Sequence, residues 1–394
     1  MAKRPNFFLI VADDLGFSDV GAFGGEIHTP NLDALAASQA GVRLTNFHTA
    51  SMCSPTRSML LSGTDNYIAG LGQMEFRSRD LNPPMPWSKR PGYEGYLNFR
   101  WHLGLTRERA PHARGFDRSF ALLSGGSAHY LYQPTHPDGT PVFAHWAPLY
   151  YEDDKQVDVK TLPQDYTSDS FVSRMAPQAS IRKYRGIYND GPDALRERRQ
   201  QRQIELGLLP ADAEAHPVVT DTIEWDDMTD VGQKWSSRTM EVFAGIVDRM
   251  DENIGRVIER IKSLGEWDNT FVLFMSDNGA ERAVIEAIPM TGELDNLGNR
   301  DSFIWYGPRW AQTSTAPSRM HKGYVTEGGI RCPAIVHYRP LAAARTAGGE
   351  VTDAFATVMD ILPTILDLAG VSHPGPTFRG REVVLVRAHR GFRI

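Results

Sequence analysis

Two uninterrupted apolar runs constrain this chain more than any other feature. Asn6-Phe7-Phe8-Leu9-Ile10-Val11-Ala12 and Thr270-Phe271-Val272-Leu273-Phe274-Met275 lack the alternation of a half-solvated strand. Continuous runs of this length are what strands buried on both faces of a parallel sheet require. Each ends in hard oxygen donors, Asp13-Asp14-Leu15-Gly16 after the first and Ser276-Asp277-Asn278-Gly279 after the second. Cys332 to Tyr338 predicts a third buried strand, and Val42 to Thr49 a strand that alternates. Helical patterns lie between. Thr29 is placed as the N-cap of a helix with Pro30 at its first position, and Gly41 stops it. Ser236 to Leu264 repeats Met240, Phe243, Val247, Met250, Ile254 and Ile261 on one face. Residues 192 to 216 also read as helix, as does Thr352 to Leu368, broken or begun afresh at Pro363, while Gln73 to Leu97 and residues 124 to 170 read as loop. The alternation predicts an α/β fold, a mostly parallel mixed sheet sandwiched by helices. Ligands of such folds sit beyond the carboxyl ends of the strands, where both aspartate pairs are expected.

Bulk properties narrow the partners. The chain has 394 residues, 41% of them apolar, and a formal charge of −6, which argues against nucleic acid and anionic membranes. No run approaches the ~18 apolar residues of a membrane span. The short apolar run after Met1 does not form a signal-peptide core, so a cytoplasmic location is expected. Cys53 and Cys332 are the only cysteines and provide no disulfide framework.

Asp13, Asp14, Asp277 and Asn278 form an oxygen-only ligand set suited to Ca²⁺ or Mg²⁺ rather than zinc. Singly, each is an ordinary strand-ending turn; two such ends in one sheet make a metal site. Cys53 lies two residues before Pro55, which favours a helix start, and Arg57 comes about one turn along. A helix N-terminus of this kind attracts sulfate or phosphate. A lone cysteine is otherwise a small buried hydrophobe.

Cys53-Ser54-Pro55-Thr56-Arg57-Ser58-Met59-Leu60-Leu61-Ser62-Gly63 resembles the sulfatase signature. Trp101-His102-Leu103-Gly104, the Thr29-Pro30-Asn31-Leu32-Asp33 turn, both aspartate motifs, and Gly328-Gly329-Ile330-Arg331 after Lys322 resemble bacterial arylsulfatases of the alkaline phosphatase-like superfamily. The resemblance runs from about residue 4 to 382 and implies a mechanism. Cys53 is oxidised to formylglycine by a maturation enzyme and hydrated to a geminal diol. One diol oxygen attacks the sulfur of a small-molecule sulfate ester, the alcohol leaves, and the second hydroxyl expels sulfate. Ca²⁺, with Mg²⁺ the less favoured cation, is held by Asp13, Asp14, Cys53, Asp277 and Asn278. Arg57 offsets charge at the diol, Lys322 binds sulfate oxygens, and His102 acts as acid, base or donor. A satisfied structural histidine and a surface ion pair are the bland readings of His102 and Lys322. A phosphoesterase or phosphonate hydrolase of the same superfamily, or an inactive remnant, are the alternatives.

The chain departs from the family in three places. Arg100 stands where relatives carry the sulfate-binding lysine, and the segment before it is short, near 98–100. The Pro-His motif expected between Phe171 and Lys183 is missing, with shortening near 173–182; His145 lies too early to replace it. Residues 383–394 do not resemble the corresponding stretch of relatives, so the fold is expected to be incomplete, with residues 1–382 as catalytic domain and no small C-terminal domain.

Overall fold

The computed structural model describes residues 3–73, 94–125, 149–158, 178–283, 294–299, 302, 304–342, 348–372, 375, 377–378 and 381–382. The chain forms two compact units. The first comprises Met1–Ser51 and Val172–Ala356, the second Met52–Phe171 and Thr357–Ile394.

The first unit is built on a five-stranded sheet in the order Asn6–Ala12, Thr270–Ser276, Ala334–His337, Gly41–Leu44, Glu350–Thr352. Asn6–Ala12 and Thr270–Ser276 pair in parallel over their whole lengths, from Asn6 opposite Thr270 to Ala12 opposite Ser276. This register brings both aspartate motifs to the same edge. Only Ala334–His337 runs against its neighbours, so the other four strands point one way and the expected mostly parallel mixed sheet is present. Every residue of Thr270–Ser276 is buried, as its composition demands. Asn6–Ala12 departs from expectation: Asn6 is exposed, and Phe7, Phe8, Leu9 and Val11 are only half-buried. It has a partner on one side alone among the described strands.

The long helix Asp230–Ser263 starts where the Thr229 hydroxyl accepts from Gly232 N–H. It also organises the shorter helix Pro30–Ala37. Thr29 holds the N-cap position of that helix but does not cap it; its hydroxyl donates to Asp33 Oδ1 instead. The cap comes from Asp251 on the long helix, which accepts from Asn31 N–H (3.0 Å) and Leu32 N–H (2.9 Å). Helix Gly191–Glu205 carries Arg199, 1% exposed, whose guanidinium pairs with Asp19 (2.6 Å) and Glu26 (2.8 Å).

The second unit holds a four-stranded sheet, Tyr96–Arg100, Arg118–Leu122, Tyr150–Glu152 and Lys155–Val157 in that order. The first pair is parallel and the other two antiparallel. Three of these strands correct the loop readings: Tyr96 and Leu97 are strand, and residues 150–157 form a hairpin turning at Asp153-Asp154. Trp101, Leu103, Ala121, Leu123 and Tyr151 are the centre of its apolar core. The segment read as helix from Thr352, with a break or fresh start at Pro363, is strand at Glu350–Thr352 and becomes α-helical at Ile361–Leu368, two residues before Pro363. Residues 74–93, 126–148, 159–177 and 383–394, with His145 and the tail, lie outside the described residues.

Candidate functional site

In the first unit the site grows from the ends of two parallel strands. Asp13 follows Ala12 directly. Asp14 adopts φ 60°, a left-handed conformation that a non-glycine residue takes at a cost. This turn lets the Asp14 backbone N–H donate to Asp277 Oδ1 (3.3 Å) and Leu15 N–H to Ser276 Oγ (3.0 Å). Asn278 Nδ2 donates to Asp14 Oδ1 at 2.7 Å, and Lys322 Nζ to Asp14 Oδ2 at 2.8 Å. Asp277 and Asn278 are both fully buried. Gly279 is required here, because a Cβ would lie 1.9 Å from Gly328 O. Gly328 and Gly329 are required for their own reasons, because a Cβ on Gly328 would lie 2.0 Å from Met320 O and one on Gly329 1.9 Å from Tyr324 O.

The Asn278 side chain tests whether these residues fit a cation. Its amide nitrogen is used twice, toward Asp14 and toward Gly279 O, while its buried Oδ1 accepts no hydrogen bond. A buried acceptor without a donor is costly unless a cation faces it. Carboxylate oxygens of Asp13 and Asp277 lie within 4.8 Å of one another, and hard oxygen donors of this kind fit Ca²⁺ or Mg²⁺. Lys322 is not a surface ion pair: its side chain is 10% exposed and bonds Asp14 and Glu281 together. Glu281 was not legible as a site residue in the sequence. Its place two residues past Gly279 was the only available signal.

In the second unit, Cys53 opens helix Cys53–Ser62, two residues earlier than Pro55 suggests. Met52 precedes it in extended conformation and gives no side-chain cap, and Gly63 ends the helix at φ 64°. Cys53 is fully buried. Strand Tyr96–Arg100 delivers Arg100, whose Nη2 donates to Cys53 Sγ (3.1 Å) and to His102 Nδ1 (3.0 Å). Arg57 Nη1 donates to Arg100 O at 2.7 Å. Guanidinium has only donors, so His102 Nδ1 must accept; the imidazole is then neutral with its proton on Nε2. His102 itself has φ 55°. Trp101, 2% exposed and donating to Arg109 O, anchors this turn from below. The other cysteine behaves differently. Burial pushes the Cys332 thiol well above its ordinary pKa, and its sulfur is 3.3 Å from Thr49 Oγ1. It is a core residue.

Within each unit, candidate residues singled out in the sequence are hydrogen-bonded to one another. Asp14, Asp277, Asn278 and Lys322 are linked in the first unit, with Asp13 adjoining. Cys53, Arg57, Arg100 and His102 are linked in the second. Such groups can hold a divalent cation, bind an oxyanion and present a nucleophile beside a proton donor.

Comparison with known proteins supplies the context. The sulfatase family profile matches residues 5–371. An uncharacterized sulfatase of Schizosaccharomyces pombe is 50% identical over 444 aligned residues, covering 98% of this chain and 78% of that protein. An arylsulfatase of Klebsiella aerogenes is 32% identical, covering 94% and 87%. Among solved structures, Ps i-CgsB in complex with k-i-k-neocarrahexaose superposes with TM-score 0.58 at 22% identity, covering 94% of this chain and 73% of the other.

Proposed function

The chain belongs to the sulfatase family, and from that premise we propose that it hydrolyses sulfate esters, aryl sulfates among them, through a formylglycine made from Cys53. The single observation that carries the reading is the Arg100 guanidinium set between Cys53 Sγ and His102 Nδ1. It joins nucleophile position, positive charge and proton donor at the start of one helix.

Asp13, Asp14, Asp277 and Asn278 hold a divalent cation, Ca²⁺ in preference to Mg²⁺. When bound, it lowers the pKa of an oxygen nucleophile and offsets anionic charge. Lys322 binds sulfate oxygens. Arg100 takes the place of the family's lysine with a planar, multidentate group, so the two are not equivalent. Arg57 fixes the backbone of Arg100 through its carbonyl. His102, with its proton on Nε2, donates to the departing oxygen or to sulfate.

The alignment with the Schizosaccharomyces pombe relative runs to 444 positions, more than the 394 residues of this chain. This supports internal shortening, which we place near residues 98–100 and 173–182. The family's leaving-group histidine falls in the second gap. Loss of a general acid typically slows a reaction by about 10²–10⁴, least for aryl sulfates, whose leaving groups need little protonation.

Two measurements test the proposal. Peptide mass spectrometry over residues 44 to 57, on protein co-expressed with a formylglycine-generating enzyme, should find aldehyde at position 53. Nitrophenyl sulfate should then turn over faster than nitrophenyl phosphate. An unmodified thiol with no turnover points to a remnant, and faster phosphate release to a phosphoesterase.

A further inference from the structure

We infer that Glu281 is a positioning residue that aims the Lys322 ammonium; the inference rests on the sulfatase reading above. Lysine carries a flexible four-carbon stem, and ordering it costs rotamer freedom. An oxyanion contact is useful only when that freedom has been removed beforehand. Lys322 is fixed at both ends. Its backbone N–H donates to Ala280 O (3.1 Å), and its Nζ donates to Glu281 Oε2 and Asp14 Oδ2, each at 2.8 Å.

The two carboxylates do different work. Asp14 stands at the strand end, among the oxygens that suit a cation. Glu281 is anchored to its own loop: Oε1 accepts from the backbone N–H groups of Arg282 (2.8 Å) and Ala283 (3.0 Å). This leaves Oε2, held in one direction, for Lys322. The Glu281 side chain is 21% exposed and that of Lys322 10%, so the pair is partly shielded from solvent and its geometry is maintained. Met320, two residues before Lys322, is left-handed at φ 63° and turns the chain into this arrangement.

A plain loop-capping role is the rival account, and Glu281→Gln separates the two. Glutamine keeps the length and an oxygen for both backbone N–H groups but removes the anion facing Lys322. With the matured full chain and nitrophenyl sulfate, kcat of E281Q should fall about 10- to 100-fold, the scale of a small misplacement. Its Tm should stay within a few degrees, and inhibition by inorganic sulfate should not weaken in proportion, since a negative neighbour has been removed. Lys322→Ala should fall at least as far, and the double variant no further, because the two act as one unit. If E281Q is unstable, Glu281→Asp carries the same test: it retains charge, retreats by one methylene and should lose less than K322A. Parental kcat in E281Q, or losses that multiply in the double variant, would overturn the inference and leave the sulfatase reading standing. No sulfate release by the matured parent sinks both.

Discussion

At the scale of single residues, conformation identifies the site as clearly as chemistry does. Four non-glycine residues have positive φ among those described, and two of them, Asp14 and His102, are candidate site residues. Left-handed backbone costs about 1–3 kcal/mol at a non-glycine position and persists where the surroundings enforce it. Asp14 is enforced by Asp277, Asn278 and Lys322; His102 by Arg100 and the buried Trp101. His102 has a second constraint. A Cβ on Gly125 would lie 2.5 Å from His102 Nε2, the nitrogen that carries the proton. Gly125→Ala must therefore push the ring aside. Turnover of nitrophenyl sulfate should drop by about 10- to 100-fold, the scale of a roughly 1 Å displacement. Parental turnover in G125A would show that His102 has no need of its present orientation.

At the scale of elements, long patterns were legible and short ones were not. The buried strand Thr270–Ser276, helix Asp230–Ser263 and helix Pro30–Ala37 follow from composition and period. How Pro30–Ala37 is capped does not, because Asp251 lies 220 residues from Asn31. Burial raises the Asp251 pKa, and its bonds to Asn31 and Leu32 oppose that rise. Asp251→Ala strips the acceptor from two backbone N–H groups at once. A loss of about 1–3 kcal/mol is expected, read as a lower denaturant midpoint with little change in slope. Asp251→Asn, which keeps one acceptor oxygen, should lose less. If the alanine variant matches the parent, the helix is held by packing alone. The hairpin Tyr150–Glu152 and Lys155–Val157 was missed for a similar reason. Each strand has three residues and the turn is Asp-Asp, so neither period nor glycine marked it, and its stability comes from pairing with Arg118–Leu122. Of the candidate site, the oxygen donors at the two strand ends were readable from the sequence, and Cys53 came forward through the resemblance to the sulfatase signature. Glu281 was not, because a glutamate in a loop carries no pattern until the lysine it faces is known.

For the whole molecule, the sheet of the first unit shows a consequence of its strand order. Asn6–Ala12 pairs only with Thr270–Ser276 among the described strands, and Phe7, Phe8, Leu9 and Val11 are half-buried where the composition of the strand demands full burial. An apolar strand with one side unpaired among the described strands is a template for association. The opposite problem arises at the third strand, where Ala334–His337 buries an ionisable ring. His337 is 5% exposed and stacks on Trp267 with ring centroids 4.7 Å apart. Burial lowers its pKa from 6.5 to about 4, assisted by Lys262 and Arg339 and opposed by Asp268. Between those two pH values the unfolded chain binds the proton and the folded chain does not, so acid favours unfolding. The His337 contribution to stability is complete above pH 6.5, falls as the pH drops toward about 4, and levels off below that. His337→Phe keeps an aromatic ring on Trp267 and removes the titration. Thermal melts from pH 7.5 to 4 should show the parent losing more stability than H337F across that window, with the two curves parallel above pH 7. Curves that stay parallel down to pH 4 would mean that His337 charges in the folded protein, through an opening of this strand end that the buried stack does not allow.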